Sequence, residues 1–344
     1  MYLCKMMKWI VFSLVCAIAV GCGRTEEVVF GGAAQGTTYM VKAYFDSTTI
    51  EQEEIDKLLR DFDFAVSTYN PASQITAYNK ADTFIRIVDT TGFFSNVYYH
   101  GFRFQKLTNG YFNPGLEPLF QALKENDSLT AEERDSLIAL GRMDDNKVMA
   151  YIDSTTNLLT LDLWKDSEEQ LGFNASAQGL SVDYVADFLE HRGIRSYLVE
   201  IGGEMKVGAP KPDGSLWRVG VEAPAKDRTG TMQHILELKN KSIATSGTYR
   251  KFIAQEGKQV PHILNPLTGL AVDHNLVSVT VITDNCGDAD ALATAFLAMG
   301  KEKTLLWKQE HLKPEVEIVF IEQTDSGFVS SYTEGVNKWL LENE

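Results

Sequence analysis

The chain has 344 residues, a length that corresponds to about two average domains and that single domains also reach. Hydrophobic residues make up 44% and charged residues 23%, ordinary globular proportions that exclude disorder for most of the chain. Lys and Arg number 32 against 47 Asp and Glu, a net charge of −15, and such an acidic balance repels polyphosphate backbones and so excludes a nucleic-acid partner.

The first 20 residues read as an export signal. Met1 to Lys8 carries Lys5 and Lys8 and no acid, and Trp9 to Val20 is an uncharged run of 12 residues. That run is too short to span a bilayer as a mature helix and has the length of a signal-peptide core. It ends Ala19-Val20-Gly21-Cys22, which resembles the bacterial lipobox, with Ala19 standing where a leucine is usual. The resemblance implies cleavage after Gly21 and a lipid on Cys22, against plain secretion or an uncleaved anchor. Residues 1–21 are then a lipoprotein signal peptide, 22–30 a polar tether and 31–344 the folded domain. With Cys4 and Cys16 removed and Cys22 acylated, only Cys286 remains, so no intramolecular disulfide is expected.

Beyond the tether, 37–45 alternates in strand fashion, and 50–65 has helical spacing at Ile55, Leu58, Leu59, Phe62 and Phe64. Residues 84–106 read as one helical stretch around Phe93, Phe94, Val97 and Tyr98, and the acidic segment 124–147 reads as a solvated helical excursion. Strands are expected near 157–163, 197–201, 217–221, 234–238 and 276–281, and helices at 182–190, 288–299 and 301–309. Elements mixed this irregularly, without βαβ alternation, predict an α+β fold with a mixed, largely antiparallel sheet and flanking helices.

Four segments carry more polar, Gly and Pro residues than a core needs. Residues 67–79 place a Pro71 turn between Tyr69 and Tyr78 among hydroxyls, flat faces and donors that suit a planar heteroaromatic ligand, or else an ordinary turn with Tyr69 packed on the body. Residues 108–119 hold Gly110, Gly115, Pro114 and Pro118, which fix an irregular backbone whose polar groups need partners; a tight connection is the plainer alternative. The small residues of 174–179 enter a helix containing Asp183, and Gly202-Gly203-Glu204 follows a strand; both let a backbone approach a phosphate closely. Neither is the GxGxxG fingerprint, so a Rossmann site is not supported.

The fourth segment joins 243–250, 261–269 and 288–296. Asp290 and Thr294 are four apart on an expected helix, which puts a carboxylate and a hydroxyl on one face. Two hard oxygen donors suit magnesium, with waters and phosphates completing the shell. The simpler alternative treats Asp288 and Asp290 as acids stabilising a helix N-terminus and Thr294 as a tolerated interior hydroxyl.

Taken together and in order, these motifs resemble the ApbE family of FAD:protein FMN transferases. The likeness runs from about Gly32 to Gly300 and is carried by Gln35-Gly36-Thr37-Thr38-Tyr39, Ser67-Thr68-Tyr69, Gly110-Tyr111-Phe112-Asn113, Ala177-Gln178-Gly179 with Val182-Asp183, Gly202-Gly203-Glu204, Ala244-Thr245-Ser246-Gly247, His262 with Asn265-Pro266, and Asp290 with Thr294. The resemblance implies a T-fold-related architecture, FAD as substrate and Mg2+ at its pyrophosphate. FMN would pass to a Thr or Ser hydroxyl of an acceptor flavoprotein, a membrane redox complex subunit or an exported flavoprotein, with release of AMP. It assigns FAD contacts to Gln35, Tyr69, Phe112, Asn113, Pro114, Gly115, Gln178, Gly202, Gly203, Ser246 and His262. The metal ligands it implies are Asp290, Thr294 and the Ala175 carbonyl, and His262 or Asp290 is the base. The location it implies, together with the Cys22 anchor, is the periplasmic side of the inner membrane in a bacterial cell envelope.

Three positions depart from the family pattern: Gln178, Gly172 and Asn113 stand where Lys, Asp and Asp are usual, which shifts local charge and with it FAD affinity or metal preference. Two rival functions remain: an FAD pyrophosphatase giving free FMN and AMP, and a non-catalytic flavin-binding lipoprotein.

Overall fold

Eight strands hydrogen-bond side by side in the order in which the chain makes them. They are β1 (Glu26–Ala34), β2 (Thr37–Phe45), β3 (Ser196–Ile201), β4 (Glu204–Val207), β5 (Lys241–Gly247), β6 (Leu276–Thr283), β7 (Glu317–Thr324) and β8 (Gly327–Tyr332), and every neighbouring pair is antiparallel. The computed structural model describes residues 26–45, 50–126, 128–222, 232–248, 252–255, 258–261, 264–311 and 315–341. The α+β expectation with a largely antiparallel sheet is therefore met.

Between β2 and β3 the chain makes a long excursion through α1 (Gln52–Val66), α2 (Gln74–Lys80), α3 (Phe93–Leu107), α4 (Glu117–Glu125), α5 (Ala131–Leu140) and α6 (Ala177–His191), with a three-stranded sheet formed by Phe84–Asp89, Leu159–Trp164 and Val148–Ile152. Between β6 and β7 come α7 (Cys286–Met299) and α8 (Lys301–His311). The sheet thus has two halves of one plan, hairpin, helix, hairpin: β1–β2, α6, β3–β4 and then β5–β6, α7, β7–β8.

Strand side chains alternate between faces, and here both faces are covered. Val279, Val281, Ile318 and Phe320 pack with α7 in one cluster. Their neighbours Ile282, Val319 and Ile321 pack on the other side with Trp217, Val219, Leu236 and Leu238 of the hairpin formed by Trp217–Glu222 and Met232–Leu238. Burial on both sides leaves 276–281 without an exposed face, so that even Ser278 and Thr280 are buried among its apolar residues. Helix α7 is apolar nearly all round, with Ala289, Ala291, Ala293 and Ala295 buried, and small side chains let it settle onto the sheet.

Three expectations need correction. The stretch 84–106 is a strand followed by a helix, because Ile87 faces inward while Phe84, Arg86 and Val88 face outward along Phe84–Asp89, and the Asp89 carboxylate then accepts the Gly92 and Ser95 amides to start α3. Residues 26–30, read as tether, belong to β1; residues 22–25 lie outside the described residues. The loop 67–79 ends in α2, whose Ser73 hydroxyl accepts the Thr76 amide. The acidic segment 124–147 does contain a solvated helix, since α5 buries none of its residues.

Candidate functional site

The two sheet helices meet at their N-terminal turns. The N-cap residues of α6 and α7, Ser176 and Asn285, make no side-chain cap bond, which leaves amides that a helix start must satisfy elsewhere. Each helix answers the other. The Gly179 amide of α6 donates to Asp290 Oδ2 of α7 at 3.0 Å, and the Gly287 amide of α7 donates to Asp183 Oδ2 of α6 at 2.9 Å. Only glycine permits that approach, since a Cβ on Gly179 would stand 2.4 Å from the Cys286 carbonyl oxygen and one on Gly287 2.5 Å from Leu180 Cδ2.

The two bridging carboxylates differ in charge balance. Asp183 pairs with Lys206 Nζ at 2.8 Å, whereas no Lys, Arg or His among the described residues pairs with Asp290. Burial, with the Glu204 charge beside it, pushes the Asp290 carboxyl well above the usual range, against the Gly179 hydrogen bond that works the other way. Glu204 and Lys206 are two apart on β4 and so share a face. One carboxylate has a built-in cation and the other has a second acid.

One turn along α7, Thr294 Oγ1 lies 3.2 Å from Ser246 Oγ of β5. Ala175 packs at the edge of the cluster that α7 forms. Its neighbour Ser176 is wholly buried, and its hydroxyl has no partner among the described residues. Cys286 is a buried free thiol, raised by burial first and then by the charges of Asp183, Glu204 and Asp290; it has no nucleophile's environment.

Beside this junction lies the β3–β4 turn. Gly202 has φ +69°, its amide donates to the Thr38 carbonyl, and a Cβ there would meet Gln178 Nε2 at 2.6 Å. Gly203 has φ +115° and open space before it, and its amide donates to Glu200 Oε1 at 2.7 Å. The β1–β2 turn holds Gln35 at φ +52° next to Gly36 at φ +72°, the two-residue hairpin geometry with both central residues left-handed. Both polar atoms of the Gln35 amide are buried without a partner among the described residues. A buried amide left unpaired costs desolvation free energy, so its arrangement fits a ligand that supplies the missing bonds. Gln35 lines a cavity of about 280 Å3 together with Gln52, Asp56 and Arg60.

The remaining sequence candidates fall in two groups. Tyr69 is 88% exposed in the turn between α1 and α2, not packed on the body. Tyr78 of the same motif is core, donating to Glu169 at 2.6 Å. The 112–115 loop is turned inward: Phe112 packs edge-on to Phe104, Asn113 Oδ1 accepts from the Gly115 amide and Gln105 Nε2, Pro114 is buried and its carbonyl accepts the Gly172 amide, and Gly115 stands against the Gly141 backbone. The side chains of Phe112 and Asn113 are thus engaged by the protein itself. Where Gly172 lacks a side chain, Glu117 Oε2 lies 3.0 Å from the place of a Cβ, so a carboxylate reaches that spot from another element. His262 and Cys22 lie outside the described residues.

The structure therefore gathers Asp290, Thr294, Ser246, Gln178, Gly202 and Gly203 around one helix junction. The sequence named Asp183 within a motif but gave it no role, and it gave no sign of Lys206 at the junction or of Glu117 at Gly172. Among the described residues no group of three or more His, Cys, Asp or Glu forms a metal cluster, so a cation here would rest on a mixed set of carboxylate, hydroxyl and carbonyl oxygens.

Comparison with known proteins shows the family to which the chain belongs. The sequence profile of the ApbE family matches residues 35–320. An FAD:protein FMN transferase of Vibrio cholerae is 31% identical over 333 residues, 94% of this chain and 96% of that one. The solved flavin transferase ApbE from Vibrio cholerae is 29% identical with a TM-score of 0.75, covering 92% of this chain and 100% of that chain. The apo form of the flavinyl transferase ApbE from Pseudomonas stutzeri matches with the same TM-score and identity over 91% of this chain and 96% of that one.

Proposed function

The chain belongs to the ApbE family and is an enzyme of flavin transfer, and from that premise we propose that it moves FMN from FAD to a Thr or Ser hydroxyl of an acceptor flavoprotein with magnesium, releasing AMP. The observation that carries the metal is Asp290: a buried carboxylate beside Glu204, with no cationic partner among the described residues, where a divalent ion would neutralise two like charges. Thr294 and the Ala175 carbonyl would complete the protein ligands, and the unpaired Ser176 hydroxyl beside them is consistent with a polar occupant.

A neutral hydroxyl attacks a pyrophosphate dianion slowly because charge must be neutralised and the reactants aligned. When bound, magnesium supplies the charge neutralisation. The chain's own residues do the rest. Gln35 binds through its unpaired amide, the Gly202–Gly203 backbone admits the dinucleotide closely, and exposed Tyr69 offers a flat face to an aromatic ring. The proton of the acceptor hydroxyl goes to His262 or Asp290, and a carboxylate engaged by a cation is the weaker base, which favours His262. The acceptor is a membrane redox subunit or an exported flavoprotein. The run Trp9–Val20 ending at Cys22 supports a lipid-anchored enzyme on the periplasmic side of the inner membrane.

The test mixes the soluble form starting after Cys22 with FAD, Mg2+ and an exported flavoprotein acceptor. A mass gain of one FMN on the acceptor, absent with EDTA and in Asp290→Ala, is the expected result. Free FMN and AMP with an unmodified acceptor would replace transfer by hydrolysis, and intact FAD after long incubation would make the protein a flavin carrier.

A further inference from the structure

We propose that Asp183 and Lys206 are positioning residues for the Asp290 site: they fix the first turn of α7 against α6 and so set where the Asp290 carboxylate stands. This rests on the reading of Asp290 as a metal ligand. Neither residue lines the site itself; both act through the backbone of the helix that carries it.

Gly287, the second residue of α7, has an amide that nothing in its own N-cap satisfies. Asp183 takes that amide on Oδ2 at 2.9 Å and the Lys206 ammonium on Oδ1 at 2.8 Å, so a single carboxylate ties β4, α6 and α7 together. Both side chains of the pair are about 15% exposed or less, and a charge-assisted bond in such surroundings holds its geometry more tightly than a surface pair. The return bond, Gly179 to Asp290, takes up one of the Asp290 oxygens. If the Asp183 tie loosens, the first turn of α7 is free to draw away from α6, and the Gly179 bond that aims Asp290 loosens with it. Gly287 and Asp290 are three positions apart on α7, less than one helical turn, so movement of the one is transmitted to the other. Outer partners of this kind change metal affinity by about 10- to 100-fold when removed.

The measurement is Mn2+ binding by electron paramagnetic resonance on the soluble form without FAD or acceptor, with the melting temperature read on each sample. Asp183→Asn and Lys206→Met are expected to weaken Mn2+ binding by about 10- to 100-fold while the chain still melts cooperatively. Lys206→Arg, which keeps the charge, is expected to recover most of the affinity. Wild-type Mn2+ affinity in folded Asp183→Asn and Lys206→Met would overturn the inference, as would loss of folding in both, which would make the tie a folding element. Asp290→Ala separates the two claims. If it binds Mn2+ like the wild type, the metal reading itself fails; if it loses the ion while Asp183→Asn keeps it, only the positioning role falls.

Discussion

The Gly179 amide and the Asp290 carboxylate meet at 3.0 Å across the α6–α7 junction, and this bond pulls the Asp290 pKa down against burial and the Glu204 charge, which together hold it well above the usual carboxylate range. An acid whose folded pKa lies above its unfolded one stabilises fully while both states are protonated, and loses that contribution as pH climbs from the ordinary carboxylate range through the raised value. Without metal, the wild type should therefore lose stability relative to Asp290→Asn as pH rises from about 4 towards neutrality. Added Mg2+ should reverse the difference at neutral pH in the wild type alone. Melting temperatures of the two proteins across that window, with and without Mg2+, check this, and a constant difference in the metal-free series refutes it.

The same junction makes a prediction about shape. A Cβ on residue 179 would sit 2.4 Å from the Cys286 carbonyl oxygen and 2.8 Å from Asp290 Cβ, backbone and short side chain that have little room to yield. Gly179→Ala should cost about 1–3 kcal/mol or more, the usual range for overpacking, although Ala is the better helix former by about 1 kcal/mol. Chemical denaturation should show the loss in the midpoint; a more stable Gly179→Ala protein would mean that the helices are not in contact there.

Much of this arrangement was legible because β6 is rich in β-branched residues, which favour strands, and because α7 repeats alanine around a polar pair, Asp290 and Thr294. The stretch 84–89 was misread because Phe84 and Val88 are apolar yet face outward, which hides the two-residue period beside the helical pattern of α3. The ties from Asp183 to Gly287 and from Lys206 to Asp183 join elements 104 and 23 residues apart, and no local spacing announces such pairs. The Glu117 carboxylate at Gly172 is of the same kind: the empty position is visible in the sequence, the group that reaches it is not.

Gln35 separates binding from stability. Its amide atoms are buried and unpaired among the described residues, so Gln35→Leu removes a desolvation cost while leaving the left-handed turn with a side chain of similar bulk. The FAD-free protein should melt at the wild-type temperature or above it. FAD should bind more weakly by roughly 2- to 10-fold, the worth of one or two ordinary hydrogen bonds. Calorimetric titration of FAD into both proteins decides it, and unchanged FAD affinity would remove Gln35 from the site.

Two tyrosines of one motif should part company in the same way. Tyr69 is 88% exposed, so Tyr69→Ala should move stability by no more than about 0.5 kcal/mol while lowering FAD affinity roughly 2- to 10-fold, the scale of one aromatic contact. Tyr78 is buried and donates to Glu169 Oε1, whose other oxygen accepts from Lys147 Nζ at 3.0 Å. Tyr78→Phe strips that acceptor of a donor where water does not reach, at a cost of about 1–3 kcal/mol, with FAD affinity unchanged. Denaturation midpoints and FAD titrations of the two variants form a crossed pair, and weakened FAD binding in Tyr78→Phe at wild-type stability would reverse the assignment of ligand face and core.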